Sequence, residues 1–223
     1  MSKPFAWSYS KLKNFESCPK RHWHIDIAKD IREEESEQLT WGNLVHKSAA
    51  KRISLGSPLP PGMASAGDLE KWCERLLTGP GLILVEQKLA ITKDFTPCEW
   101  FATEAWYRGI ADVLKVNDDV ALAIDWKTGK ILEDPVQLAL MAACIFAHHP
   151  SVQKIRTEFV WLKVGGVSSR EDFDRSSMPT VWRNIWHRIE ALELAYKSVT
   201  YPPRPGSLCR KWCPVNVCPH HGT

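Results

Sequence analysis

Two acids and a lysine lie close together in the sequence GIADVLKVNDDVALAIDWKTGK, residues 109–130. Runs of Val, Leu and Ile on either side of residues 117–119 predict two strands joined by a tight polar turn. Asp125 and Lys127 are two residues apart, so they share one face of a strand. A turn of two or four residues would place Asp112 opposite Asp125, whereas a three-residue turn would need a bulge to bring them onto one face.

Two carboxylates and an ammonium group on one sheet face are costly to bury unless another charge compensates them. A divalent cation is the natural compensation, because carboxylates suit Mg²⁺ or Mn²⁺. The lysine could then neutralise an anionic substrate. The alternative is a structural hairpin in which Lys127 makes an incidental salt bridge to Asp112 or Asp125.

The composition indicates one globular domain that can bury a sizeable core, since the chain has 223 residues, 44% of them hydrophobic and 25% charged. The net charge of +3 is compatible with a nucleic-acid partner but does not establish one. The sequence contains no apolar run long enough to span a membrane and no secretion signal at its start. We therefore expect a cytoplasmic protein without membrane association, whose seven cysteines are reduced.

The order of predicted elements is α-α-α-β-β-β-β-α-β-β-α. The helices are predicted from Ser8 to Cys18 and over residues 38–54, 68–77, 133–149 and 179–199; the strands are predicted over residues 82–91, 99–107, two runs within 109–127, 154–163 and 167–173. This order predicts an α/β fold with a mixed central sheet flanked by helices, not a doubly wound dinucleotide fold. No GxGxxG or Walker A sequence is present, which disfavours a nucleotide cofactor.

Two further residues could join a metal site. The second helix has an inward stripe that carries a histidine and consists of Leu39, Gly42, His46, Ala49, Ala50 and Ile53. An inward histidine is more often a core residue than a ligand. Glu86, within the strand predicted over 82–91, could hold a metal through water or could equally be a surface glutamate.

The end of the chain is rich in cysteine. Cys209, Cys213 and Cys218 lie within ten residues, in a segment too short and polar to build its own core. Three close cysteines in a reduced protein predict a metal site that needs a fourth ligand. With His220 or His221 this would be a zinc site, and with a distant cysteine it could be zinc or a [4Fe–4S] cluster.

Taken together, these motifs resemble the RecB-type branch of the PD-(D/E)XK nuclease superfamily, which includes the nuclease domains of RecBCD and AddAB, CRISPR-associated adaptation nucleases and phage exonucleases. Five segments, in the family's order and over most of the chain, carry the resemblance: SYSKLKNFESCP with Cys18, WGNLVH with His46, GIAD with Asp112, IDWKTGK with Asp125 and Lys127, and VQLALMA with Gln137.

The resemblance implies a restriction-endonuclease-like core and a set of roles. One or two Mg²⁺ or Mn²⁺ ions would be held by His46, Asp112, Asp125 and the backbone carbonyl of Trp126. Lys127 would orient or deprotonate the attacking water or stabilise developing charge. Gln137 would contact the substrate.

The resemblance also implies that Cys18 joins Cys209, Cys213 and Cys218 to bind a [4Fe–4S] cluster, with Zn²⁺ as the alternative. Such a site would join the two chain ends. We therefore expect a single nuclease domain over residues 1–223, with a core at about 38–198 and a C-terminal segment, 200–223, packed near Cys18.

The function implied is a metal-dependent deoxyribonuclease of phage or accessory type. We expect an exonuclease that acts on DNA ends or single strands in replication, recombination or repair, with a recombination or replication protein as a further partner. A structure-specific endonuclease on the same fold and a catalytically idle iron–sulfur or zinc DNA-binding module are the alternatives. The sequence does not separate exonuclease from endonuclease or DNA from RNA.

Overall fold

The computed structural model describes residues 5–33 and 36–223. The chain divides into two compact units, one formed by Met1–Glu35 with Trp182–Thr223 and the other by Ser36–Val181. The expectation that the whole chain acts as one nuclease domain stays a prediction. Within the described residues, no helix has the length and apolar character needed to cross a bilayer.

The unit Ser36–Val181 is built on a six-stranded mixed sheet, as predicted. Its strands are β1 (Leu82–Ile91), β2 (Pro97–Cys98), β3 (Tyr107–Asn117), β4 (Val120–Lys127), β5 (Lys154–Trp161) and β6 (Val167–Asp174). The spatial order is β2-β1-β3-β4-β5-β6. Only β4 and β5 run parallel among these neighbours, and the crossover between them carries a helix, as parallel pairing requires.

The described residues of the two units form seven α-helices. They are α1 (Tyr9–Ser17), α2 (Pro19–His22), α3 (Glu37–Leu55), α4 (Leu69–Leu77), α5 (Pro135–His148), α6 (Met178–Ser198) and α7 (Leu208–Lys211). The hydroxyls of Ser8 and Ser36 accept backbone N–H groups at the starts of α1 and α3. Gly56 ends α3 with a left-handed φ of 66°.

One predicted strand is wrong. Residues 99–106 form turns, and β3 pairs directly with β1 from Tyr107 onward. The guanidinium of Arg108 explains the difference, because it donates to the carbonyls of Trp100 (2.6 Å) and Ala102 (3.3 Å). Carbonyls engaged in this way stabilise a compact turn instead of a strand ladder.

Helices α3 and α4 cover one face of the sheet with a buried apolar cluster. Its members include Val45, Ala49, Ile53, Leu69, Cys73, Leu76, Val113, Ile124, Trp126 and Val160. The predicted inward stripe of α3 is therefore right at Ala49 and Ile53 but wrong at Leu39, which is 51% exposed. Alternation along β4 turns Asp125 and Lys127 away from this cluster, toward α5.

Both chain ends meet within the other unit. The guanidinium of Arg188 on α6 forms a two-bonded ion pair with the Glu16 carboxylate on α1. Arg204 donates from its side chain to the Glu16 carbonyl and from its backbone to Cys18 Sγ, the latter at 3.4 Å. These bonds hold the segment after α6 against the end of α1.

The close contact between Gly67 and Leu162 gives a test of the packing beneath α3 and α4. Gly67 has φ of 59°, and an added Cβ would lie 2.4 Å from the Cα and carbonyl oxygen of Leu162. Gly62 is the matched control, because its φ is 79° and an added Cβ would meet nothing within 4 Å. Alanine at either site costs about 1–2 kcal/mol of left-handed strain.

We expect Gly67→Ala to lower the free energy of unfolding clearly more than Gly62→Ala, since backbone atoms must move as well. Urea unfolding followed by circular dichroism measures both. Equal losses in the two variants would contradict this packing.

Candidate active site

The turn of the β3–β4 hairpin fixes which acids face each other. It contains two residues, Asp118 and Asp119, between the paired residues Asn117 and Val120. This register, continued along the strands, places Asp112 opposite Asp125, as the two-residue turn predicts. Both aspartates are more than nine-tenths buried.

The regular pairing of β3 with β4 ends just before the two aspartates. Their paired residues run from Asn117–Val120 to Val113–Ile124. Beyond this point the backbone N–H of Trp126 donates to Asp112 Oδ2 at 2.7 Å. The carboxylate thus takes the place of a strand carbonyl as acceptor, and its other oxygen, Oδ1, faces His46.

His46 and Glu86 approach Asp112 from two other elements. His46 Nδ1, on α3, lies 3.2 Å from Asp112 Oδ1. Glu86 lies in β1 between the pairs Val85–Val113 and Gln87–Ala111, so it stands opposite Asp112. One ligand atom from each of these three side chains lies within 4.8 Å of the other two, a separation that a single metal ion could bridge.

The backbone of Glu86 is strained. Its φ is 49°, in the left-handed region that non-glycine residues seldom occupy within a strand. Such strain costs about 1–3 kcal/mol and collects at functional sites, where the surrounding structure enforces it. The carboxylate of Glu86 is exposed in the cleft and available to a ligand.

Lys127 is held beside Asp125 by residues of α5 and β5. Its ammonium forms an ion pair with Asp125 Oδ2 and donates to Gln137 Oε1 at 3.2 Å. The amide of Gln137 donates in turn to Asp125 Oδ2 at 3.5 Å. The ring of Phe159 lies 4.8 Å from Lys127 Nζ. Gln137 therefore positions Lys127 and Asp125 relative to each other.

The charges at the site are unbalanced. Burial raises the pKa of Asp125 to about 6, with Lys127 opposing the shift and the charge of Asp112 adding to it. Partial desolvation and Asp112 raise the pKa of Glu86. Burial lowers the pKa of His46, but its bond to Asp112 and the nearby carboxylates outweigh burial, so the net shift is upward. Each net shift favours the protonated form, because desolvation acts on the two carboxyl groups, with the charge of Asp112 adding to it, and nearby carboxylates act on His46.

His46, Glu86 and Lys127 open onto a cleft of about 430 Å³. Its lining includes Gly42, Asn43, His46, Lys47, Glu86, Trp126, Lys127 and Thr128. Imidazole nitrogen and carboxylate oxygens are suitable ligands for Mg²⁺ or Mn²⁺, so the donor set fits a divalent cation. The arrangement could hold such an ion beside a lysine able to act on an anionic substrate.

The structure places His46 against Asp112, and it places Lys127 and Gln137 against Asp125. The roles that the sequence motifs assign to these residues stay predictions. The sequence alone does not distinguish a metal-facing Glu86 from a surface glutamate, whereas the structure places it beside Asp112. The strand predicted over 99–107 gave β1 another hairpin partner. Pairing β1 with β3 would have placed Glu86 opposite Asp112.

The four predicted cysteines also come together, within the unit of the two chain ends. Cys18, Cys209, Cys213 and Cys218 line one small cavity, together with Lys20, Arg21, Arg204, His220 and His221. The four cysteines are therefore neighbours around one shared space.

Comparisons with known proteins identify the fold and the family of the chain. A solved structure from Eubacterium rectale, provisionally named an exonuclease, shares the fold with a TM-score of 0.56 at 12% identity, covering 95% of this chain and 88% of that one. The structure of SSO0001 aligns with a TM-score of 0.43 at 15% identity, covering 100% and 90%. Curated protein sequences give no match. The model of the PD-(D/E)XK nuclease superfamily matches residues 6–219, and the chain therefore belongs to that superfamily.

Proposed function

We propose that this protein is a metal-dependent deoxyribonuclease that removes nucleotides from DNA ends or single strands. The observation that carries the proposal is the convergence of His46 and Glu86 on Asp112, beside the ion pair of Lys127 with Asp125. His46, Glu86 and Lys127 line one cleft. A structural hairpin with an incidental salt bridge would not need a histidine and a strained glutamate against the same carboxylate.

The divalent ion would be held by His46, Asp112 and Asp125, with the Trp126 carbonyl and Glu86 as further ligands. When bound, it supplies polarisation of the phosphoryl group and activation of water. A histidine ligand favours Mn²⁺ somewhat over Mg²⁺. The bond from the Trp126 N–H fixes the Asp112 carboxylate, so the ligand oxygen needs little reorganisation.

Lys127 would act on the reacting groups. Its ammonium is held by Asp125, Gln137 and the Phe159 ring at the edge of the cleft. From there it can orient the attacking water, or donate to a phosphate oxygen as negative charge develops. Gln137, which the sequence motifs assigned to substrate contact, would also keep Lys127 in place.

The exonuclease assignment and the RecB-type branch are finer steps of the same proposal. The Eubacterium rectale structure carries the name of an exonuclease, which supports the first step. The N-terminal and C-terminal cysteines around one cavity support the RecB-type branch. We place the activity in DNA replication, recombination or repair, as a phage or accessory enzyme that could work with a recombination or replication protein. A structure-specific endonuclease remains the alternative outcome of the assay below.

The cysteine cavity would hold a [4Fe–4S] cluster. Four thiolates on one zinc ion, at about 2.3 Å each, would place their sulfurs about 3.8 Å apart. A four-iron cube instead carries one thiolate on each iron, and the four cysteines around one cavity, with the RecB-type motifs, support this choice. Lys20, Arg21 and Arg204 beside the cavity would offset the negative charge of such a cluster.

The catalytic proposal is tested with Lys127→Ala, and the exposed neighbour Lys130→Ala is the matched control. We expect Lys127→Ala to lower the rate of Mn²⁺-dependent cleavage by about a hundredfold or more, because one proton-transferring or charge-stabilising group is lost. DNA binding, measured by fluorescence anisotropy, should change only a few-fold. End-labelled single-stranded, duplex and closed circular DNA separate the modes of cleavage.

Loss of label from the end identifies an exonuclease, and cutting of circles identifies an endonuclease. Full activity in Lys127→Ala would remove its proposed role. Wild-type protein that binds DNA without cutting any substrate would show a catalytically idle module.

The cluster is tested with Cys213→Ser, and Cys98→Ser, at a half-buried cysteine outside the cavity, is the control. We expect Cys213→Ser to lose the visible absorption and the bound iron, and to unfold at lower temperature, because binding energy at a metal site is folding energy. Anaerobic purification with iron and zinc analysis decides the metal. Zinc in place of iron would correct the cluster, and an equally stable, metal-free wild type would contradict a metal site.

A further inference from the structure

An exposed tryptophan stands beside the candidate active site. Trp41 lies on α3, five residues before His46, and is 43% exposed. Leu39 and Leu44 on the same helix are similarly exposed. A tryptophan contributes a large apolar ring, and its exposure next to a cleft indicates a binding surface more often than an exposed leucine does.

Trp41 borders a second cavity that adjoins the active-site cleft. This cavity, of about 320 Å³, is lined by Glu37, Gln38, Trp41, Val45, Ala66, Thr128, Leu162 and Lys163. Gln38 and Thr128 also line the active-site cleft. The two spaces therefore meet along the first turns of α3, with the metal-ligand side chains at one end and the indole of Trp41 at the other.

The lining of the two spaces contains three lysines and two acids, Glu37 and Glu86. Lys47 and Lys127 line the active-site cleft, and Lys163 lines the second cavity. Lysines compensate phosphate charge, and an indole offers a flat surface to a nucleobase of any sequence. Bases within a duplex are paired and stacked on one another, so only an unpaired base can reach the ring.

We infer that Trp41 is a specificity-determining residue that stacks on an unpaired base close to the scissile phosphate and thereby selects single-stranded DNA ends. The inference rests on the proposed nuclease function. A second copy of the chain or another protein seated on Leu39, Trp41 and Leu44 is the competing occupant, and the experiment separates it.

The test compares Trp41→Ala and Trp41→Phe with a control on the same helix, Leu55→Ala, whose side chain is 73% exposed and lines neither cavity. Circular dichroism confirms that each variant is folded. The substrates are end-labelled single strands in which one abasic nucleotide is moved stepwise from the labelled end, and a blunt duplex of the same sequence.

Trp41→Ala should lower kcat/KM on the single strand about tenfold or more, which is the effect of losing one base–aromatic stack. Trp41→Phe should restore most of it, and Leu55→Ala should match wild type. In wild type, the abasic nucleotide should cause a comparable loss at one position only. Trp41→Ala should lose nothing further at that position, because the partner of the ring is already absent.

Three results would overturn the inference. Trp41→Ala could match wild type on single strands, or the abasic effect could be independent of Trp41. The third is a wild-type dimer in sedimentation that Trp41→Ala converts to monomer without any base-dependent effect, which would assign the surface to a second copy. If wild type cleaves nothing, the proposed function fails separately. Fluorescence anisotropy with the same strands and variants then measures whether Trp41 contributes to binding at the base that the abasic nucleotide removes.

Discussion

The structure depends on one electrostatic constraint, which is the concentration of negative charge where β3 and β4 part. Asp112 and Asp125 are buried on one side of the hairpin, and Glu86 approaches Asp112 with a strained backbone. Burial raises the pKa of Asp125 to about 6, with Lys127 opposing the shift and the charge of Asp112 adding to it. On the proposed function, this charge lowers stability when no cation is bound, and a bound divalent ion would offset it.

The surrounding elements hold this unfavourable arrangement in place. A two-residue turn sets the register of the aspartates, and α5 supplies Gln137 to fix Lys127. Gly42 allows α3 to approach closely, because an added Cβ would lie 3.0 Å from Thr128 Oγ1. The same close approach brings His46 to the carboxylates and brings the cavity of Trp41 next to the cleft. Glycine at residue 42 therefore suits this close approach, although it weakens a helix interior.

The sequence predicted local features well and non-local pairing poorly. The hairpin, its turn and the alternation of Asp125 and Lys127 follow from neighbouring residues, so they could be predicted directly. The position of Glu86 depends on which strand pairs with β1. Hydrogen bonds from Arg108 to the carbonyls of Trp100 and Ala102 favour a turn before β3, and strand propensity does not reveal these bonds. Cys18 and the C-terminal cysteines are nearly the whole chain apart, so only family resemblance could connect them.

The most direct test of the account is a Mn²⁺ titration of metal-free protein, with stability and calorimetric affinity measured for wild type, Glu86→Gln and the exposed control Glu104→Gln. The account predicts that Mn²⁺ raises the stability of wild type according to its affinity. Metal-free Glu86→Gln should be more stable than metal-free wild type, because one like charge beside Asp112 is removed, yet bind Mn²⁺ about tenfold or more weakly. Glu104→Gln should match wild type. A wild type that Mn²⁺ does not stabilise would contradict the central claim that these carboxylates form a metal site.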